Sequence, residues 1–169
     1  GDFHNKSIYY SIHGVSHAIR VIIYAGILSQ IHFNKQIPEL LIAAGHHDIR
    51  RVRDSKDIHH TVNIVNWLKK SKLPFERRLI KKAGVLLQLS ENGNKNFFVS
   101  ILRSADALDR YRLPSEKWWP QKELLSKEAV NLIELAKYLT WKSEKLSFSI
   151  DPVDAVKKVA LELGVVTDE

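Results

Sequence analysis

Apolar residues recur at helical spacing along almost the whole of this 169-residue chain, and glycine and proline punctuate the segments instead of populating them. No convincing strand pattern interrupts that periodicity, so the expected class is all-α, a helical bundle. Positions 15, 19, 22, 23, 27 and 31 form one apolar stripe, which predicts a long, well-buried helix over about Val15 to Phe33. Pro38 stands where a first-turn proline is tolerated. Behind it, Glu39 to Ile49 reads as a short helix, nearly all apolar until His46, that belongs in the middle of the fold.

Downstream, Asp54 to Asp57 reads as a polar loop. His59 to Lys70 reads as an amphipathic helix carrying Val62, Ile64, Val65 and Leu68. Pro74 is expected to open a helix that runs through Leu79, Ala83, Leu86 and Leu87 and stops at Glu91-Asn92-Gly93-Asn94. Another follows over Asn96 to Arg110, with Phe97, Val99, Ile101, Leu102 and Leu108 as its core side. An ordered connection rich in proline and aromatics, Arg112 to Pro120, precedes two last helices at about Lys122 to Trp141 and Pro152 to Leu163. Trp118-Trp119 in that connection reads as core packing, with a pocket wall or dimer contact as the other reading. The whole chain is expected to form one domain, its chemistry confined to about residues 12–112 and its C-terminal helices to about 120–165.

Cysteine is absent, which excludes a disulfide scaffold, a thiolate zinc site and a cysteine nucleophile, and favours an intracellular, cytoplasmic address. Any metal must be held by nitrogen and oxygen. The longest apolar run, Val21 to Leu28, is far short of the roughly 20 residues a membrane span requires, so no membrane partner is expected. A chain that starts at Gly1 and holds no methionine is expected to be a processed or excised piece. The net charge of +7 attracts anions, either phosphorylated metabolites or nucleic acid. Much of it sits in Arg50-Arg51-Val52-Arg53, directly after a candidate site, and in Lys69 to Lys72 and Arg77 to Lys82, which read as solvated helix faces.

The candidate site is built from a few residues. The apolar run Leu40 to Ala44 ends in His46-His47-Asp48, an imidazole beside a carboxylate at the point where a buried helix stops. His13 and His17 lie upstream, and Asp106 and Asp109 downstream. In a helix, His13 and His17 would share a face one turn apart, although Gly14 makes the helix start uncertain and leaves His17 the safer ligand. His47 and Asp48 diverge by about 100° in mid-helix but can converge at a helix end. Two imidazoles with two carboxylates suit manganese, cobalt, nickel, iron, zinc or magnesium, with positions left for water and substrate.

The order of histidine, His-Asp pair and later aspartate at His17, His47, Asp48 and Asp106, with His13-Gly14, Arg20-Val21 and Leu108-Asp109 flanking, resembles the HD-domain superfamily of metal-dependent phosphohydrolases. His47 to Asp54 with Asp57 and His60, and Asp106 to Arg112, resemble a small single-domain subgroup. The resemblance spans roughly residues 12–112 and implies an all-helical bundle with a divalent ion held by those four residues. It further implies attack of metal-bound water on the phosphorus of a small phosphorylated substrate, a nucleotide being the expected class.

Around the four ligands, His60 reads as a second acid, a phosphate contact, a ligand for a second ion or a surface histidine. Asp54, Asp57 and Asp109 are candidates to orient ligands, and helix capping is the other reading of the first two. Arg51, Arg110 and Arg20 are candidates for the substrate phosphate. Arg50 replaces a glycine frequent in the family. No glutamate follows His47-Asp48 within one or two turns, so guanosine-polyphosphate hydrolysis is less favoured. Two other functions fit: a phosphodiesterase or nuclease, supported by the basic charge, and a metal-binding regulatory module without turnover.

Overall fold

The computed structural model describes residues 9–50, 60–117, 124 and 126–167. Expectations that fall on Arg51, Arg53, Asp54, Asp57, His59, Trp118 and Trp119 lie outside the described residues. Helix α1, Val15–Phe33, is the axis of the molecule. Its apolar stripe was expected at positions 15, 19, 22, 23, 27 and 31; Ile23 is buried, but the other five stand at the edge of the core, and Ile31 is 52% exposed. With Ile23 the buried set comprises His17, Ala18, Arg20, Val21, Tyr24, Ala25, Gly26, Leu28 and Ser29, which circles more of the helix than one stripe. Neighbours pack on several sides of α1, so a single-face reading undercounts what is covered. At its C-terminus Asn34 takes a left-handed conformation (φ 52°), and its N–H donates to the Gln30 carbonyl, ending the helix.

Helix α2, Pro38–His46, starts with proline at its first turn and buries Leu40, Ile42, Ala43 and Ala44. Helices α3 (His60–Lys70) and α4 (Arg77–Glu91) pack against each other, and α4 also packs against α2. Pro74 lies in the connection between α3 and α4 and not in α4, which begins three residues later behind Glu76. In α3 the buried apolar residues are Ile64, Val65 and Leu68; Val62, expected with them, is 57% exposed because it falls on the opposite face.

Helix α5, Phe97–Leu108, is capped by Asn96, whose side chain accepts a hydrogen bond from the Phe98 N–H at 2.9 Å. Phe97, expected in the core, is 47% exposed at the start of α5 and meets Phe33 and His32 edge-on. The chain then tightens into a 3-10 turn, Asp109–Arg112, where a continuous helix to Arg110 was expected. Past a second 3-10 turn at Ser115–Lys117, the segment expected as one helix divides into α6 (Lys127–Asn131) and α7 (Ile133–Ser147), with Leu132 between them. Helix α8, Pro152–Glu162, capped by Asp151, packs along α7 and α1.

The described residues thus form an all-α domain of eight α-helices without a strand. No helix among them is long and apolar enough to cross a membrane. One continuous apolar core joins α1 to α8, and each fully buried leucine or isoleucine in it contributes about 1.5–3 kcal/mol. Three helix ends meet where this core stops: the first turns of α1, the end of α2, and the end of α5 with its 3-10 extension.

Candidate metal centre

His17 enters from the first turn of α1, within bonding reach of groups carried by α2 and α5. Its Nδ1 lies 2.7 Å from Asp109 Oδ2, which leaves Nε2 facing the other side chains. From that Nε2 the distances are 3.0 Å to His47 Nε2, 3.6 Å to Asp48 Oδ2 and 3.4 Å to Asp106 Oδ1. His47 is the C-cap residue of α2, and the backbone keeps turning through Ile49, whose N–H donates to the His46 carbonyl. That loosened end lets His47 and Asp48 converge: His47 Nε2 is 3.7 Å from Asp48 Oδ2 and 3.5 Å from Asp106 Oδ1. The His47 ring is held by its Nδ1–H, which donates to the Ala44 carbonyl at 2.7 Å.

His46, the neighbour that lacks an adjacent aspartate, is spent elsewhere. Its Nδ1 bonds the Ile42 carbonyl at 2.7 Å and its ring stacks on Trp67. His13 sits in the turn before α1, not in the helix, yet its Nδ1 reaches Asp48 Oδ2 at 2.7 Å. His60, the first residue of α3, places Nε2 3.9 Å from the other Asp48 oxygen. Two overlapping groups of donors suited to a metal ion result, His13–His17–Asp48 and His17–His47–Asp106, with His17 common to both.

The donor spacing fits a divalent ion. Bonds of about 2.1 Å from one ion put adjacent donors about 3.0 Å apart in octahedral and about 3.4 Å apart in tetrahedral geometry. The distances from the His17 and His47 Nε2 atoms to each other and to Asp48 and Asp106 lie between 3.0 and 3.7 Å. The electrostatics agree. Burial would lower the His47 pKa, but Asp48 and then Asp106 outweigh it and raise it to about 9. Burial would raise Asp48 and Asp106, yet their imidazole neighbours, His47 above all, hold both carboxyls well below the usual range. In the absence of an ion, a proton on His47 supplies the positive charge these carboxylates require.

Behind the donors stands a second, fully buried layer. Arg20 and Asp109 are both 0% exposed. Arg20 Nε donates to Asp109 Oδ1 at 2.6 Å, and its other nitrogens engage Asp109, Ser143 and Glu144. Burial opposes ionisation of Asp109, but Arg20 and then His17 overcome it and lower its pKa to about 2. Arg20 was expected to take substrate phosphate. It does not reach the open site, because its donors are committed to Asp109 and to α7.

The open site is a cleft of about 390 Å³ lined by His13, His47, Asp48, His60 and Asp106 on one side. Arg103, Arg110, Arg112 and Lys117 bring positive charge to it, and Thr61 and Glu91 line it as well. Of the arginines expected at the substrate, Arg110 is therefore in the cleft, and Arg51 lies outside the described residues. Sequence reasoning assigned no role to Arg103, Arg112, Thr61 or Glu91. Arg112 lay within the quoted motif and bonds the nearby Asp109 carbonyl, but its contacts to the Ile12 carbonyl and to His13 span 100 and 99 residues and leave no local signal. A scan against protein-family models, a search of curated proteins and a search of solved structures each found no match to this chain.

Proposed function

We propose that this protein is a metal-dependent phosphohydrolase of the HD type that acts on a small phosphorylated compound of the nucleotide class. The observation that carries the reading is the convergence of His17, His47, Asp48 and Asp106 beside a cleft lined by three arginines and a lysine. A divalent ion held by those four residues would supply acidity to water and positive charge to phosphoryl oxygens.

The chain's own residues account for the rest. Asp109 and the Ala44 carbonyl fix the ring orientations of His17 and His47, so that Nε2 of each faces the same point. His13 bonds the Asp48 oxygen that also faces His17 and His47, and so orients it. Arg110 and Arg103 are our choice for the phosphate oxygens, since guanidinium forks match them. His60, beside Asp48 and lining the cleft, is our choice for the group that passes a proton to the leaving oxygen.

The cleft volume is at the small-molecule end of ligand sites. The basic runs at Lys69–Lys72 and Arg77–Lys82 contribute nothing to its lining. Helix α4 reaches the cleft only through its last two turns, and a 15-residue helix is about 22 Å long. These two facts favour a small substrate over a polymer.

The test is phosphate release from nucleoside mono-, di- and triphosphates and their deoxy forms, with manganese, cobalt, nickel or magnesium, beside an Asp106→Ala control. Turnover that requires metal and vanishes in the control is the expected result. Silence across the panel with metal bound would transfer the reading to a diester substrate or a regulatory module.

A further inference from the structure

We infer that Glu91 and Thr61 form a subsite for substrate hydroxyl groups, so that the cleft selects a phosphorylated compound bearing a free hydroxyl pair, such as a ribonucleotide, over its deoxy counterparts. This rests on the cleft being the substrate site proposed above. Thr61 is 7% exposed, and its hydroxyl donates to Glu91 Oε2 at 2.9 Å. The same hydroxyl lies 3.4 Å from His60 Nε2, which is 3.9 Å from Asp48 Oδ1. A continuous path therefore links the metal-ligand cluster to Glu91 within one cleft.

Glu91 is ill placed for stability. It is the last residue of α4, where the helix dipole disfavours negative charge, and the last turn holds no basic residue. Its side-chain partner is the Thr61 hydroxyl, and Arg103 lines the same cleft. Thr61 occupies one site on Oε2, and an ionised carboxylate has about four acceptor sites and no donor. A carboxylate in that position repels phosphate and, being exposed to the cleft, offers its remaining acceptor sites to ligand donors in exchange for water. The phosphate is thereby directed to Arg103 and Arg110, and the hydroxyl-bearing part to Glu91. Carboxylates recognise ribose hydroxyls by the same chemistry in dinucleotide sites.

Calorimetric binding of adenosine monophosphate and its 2′-deoxy and 2′,3′-dideoxy forms to manganese-loaded protein tests this, with phosphate release followed in parallel. For the wild type we expect the ribo form to bind at least about tenfold more tightly than the dideoxy form. In Glu91→Ala that ratio should fall to within about twofold, with Glu91→Gln in between because the amide keeps one acceptor. A wild-type ratio within twofold, an equal loss for all three ligands in Glu91→Ala, or no binding of any of them overturns the inference. Hydroxyl-selective binding with silence across the whole nucleotide panel would uphold the subsite and defeat the phosphohydrolase reading; turnover without selectivity would do the reverse.

Discussion

His17 Nδ1 and Asp109 Oδ2 stand 2.7 Å apart across 92 residues of sequence, and the two side chains are 1% and 0% exposed. That contact decides which nitrogen of His17 is free to bind an ion. It also places a carboxylate where water cannot solvate it, a charge offset chiefly by Arg20 buried against it and then by His17 and Arg112.

Breaking the Arg20–Asp109 pair from either side should therefore act on different observables. Arg20→Met leaves Asp109 buried without its main counter-charge, with His17, Thr140 and Arg112 still beside it, and should cost about 3 kcal/mol in urea unfolding. Asp109→Asn should weaken manganese binding about 10- to 100-fold by calorimetry, because the His17 ring loses its orienting carboxylate. A metal affinity unchanged in Asp109→Asn would show that His17 needs no such support.

Stability should depend on pH in opposite senses at the two ends. The raised His47 contributes fully below 6.5 in the metal-free protein, and that contribution is lost as the pH rises through about 9. The depressed Asp109 contributes above 3.8 and ceases to as the pH falls to about 2, with Asp48 and Asp106 moving in the same direction. A bound ion requires neutral His47, so between about 6.5 and 9 manganese affinity should rise about tenfold per pH unit as one proton is displaced. Titrations at several pH values check this, and a flat affinity across that interval would contradict it.

Arg112 ties the segment before α1 to the end of α5 by donating to the Ile12 and Asp109 carbonyls. Arg112→Ala should free the turn that carries His13, seen as faster amide exchange at Gly14, whose N–H bonds the Ser11 carbonyl. Arg112→Lys should fail to restore protection, since a point charge does not reproduce the guanidinium fork.

A cap at the far end of α5 offers the contrast. Asn96→Ala removes the acceptor for the Phe98 N–H and should cost about 1 kcal/mol in thermal unfolding. Metal affinity should be unchanged, because Asp106 sits at the opposite end of the helix. A loss of affinity there would mean that the site depends on α5 as a whole.

Much of this was legible in the chain. The helical period located α1, α2, α3 and α5 to within a few residues, and proline and asparagine marked their boundaries. His17, His47, Asp48 and Asp106 were identifiable because histidine and aspartate at the ends of apolar runs are conspicuous against leucine and isoleucine. Arg20 was misread because an arginine on a buried face and one beside a cleft look the same in sequence; only the position of Asp109 and α7 separates them. Val62 and Phe97 were misplaced for a related reason: apolarity gives a preference for burial, not the face that neighbours will cover.

The sequence by itself determined the all-helical class and the inventory of nitrogen and oxygen donors, because both depend on residue type and on spacings of three or four. Tertiary packing alone decided which donors meet. The His13–Asp48, His17–His47 and Thr61–Glu91 contacts span 35, 30 and 30 residues, and each exists only because separate helices end at one place. Local periodicity describes one helix at a time, whereas a site made at the junction of several helix ends is a property of their arrangement.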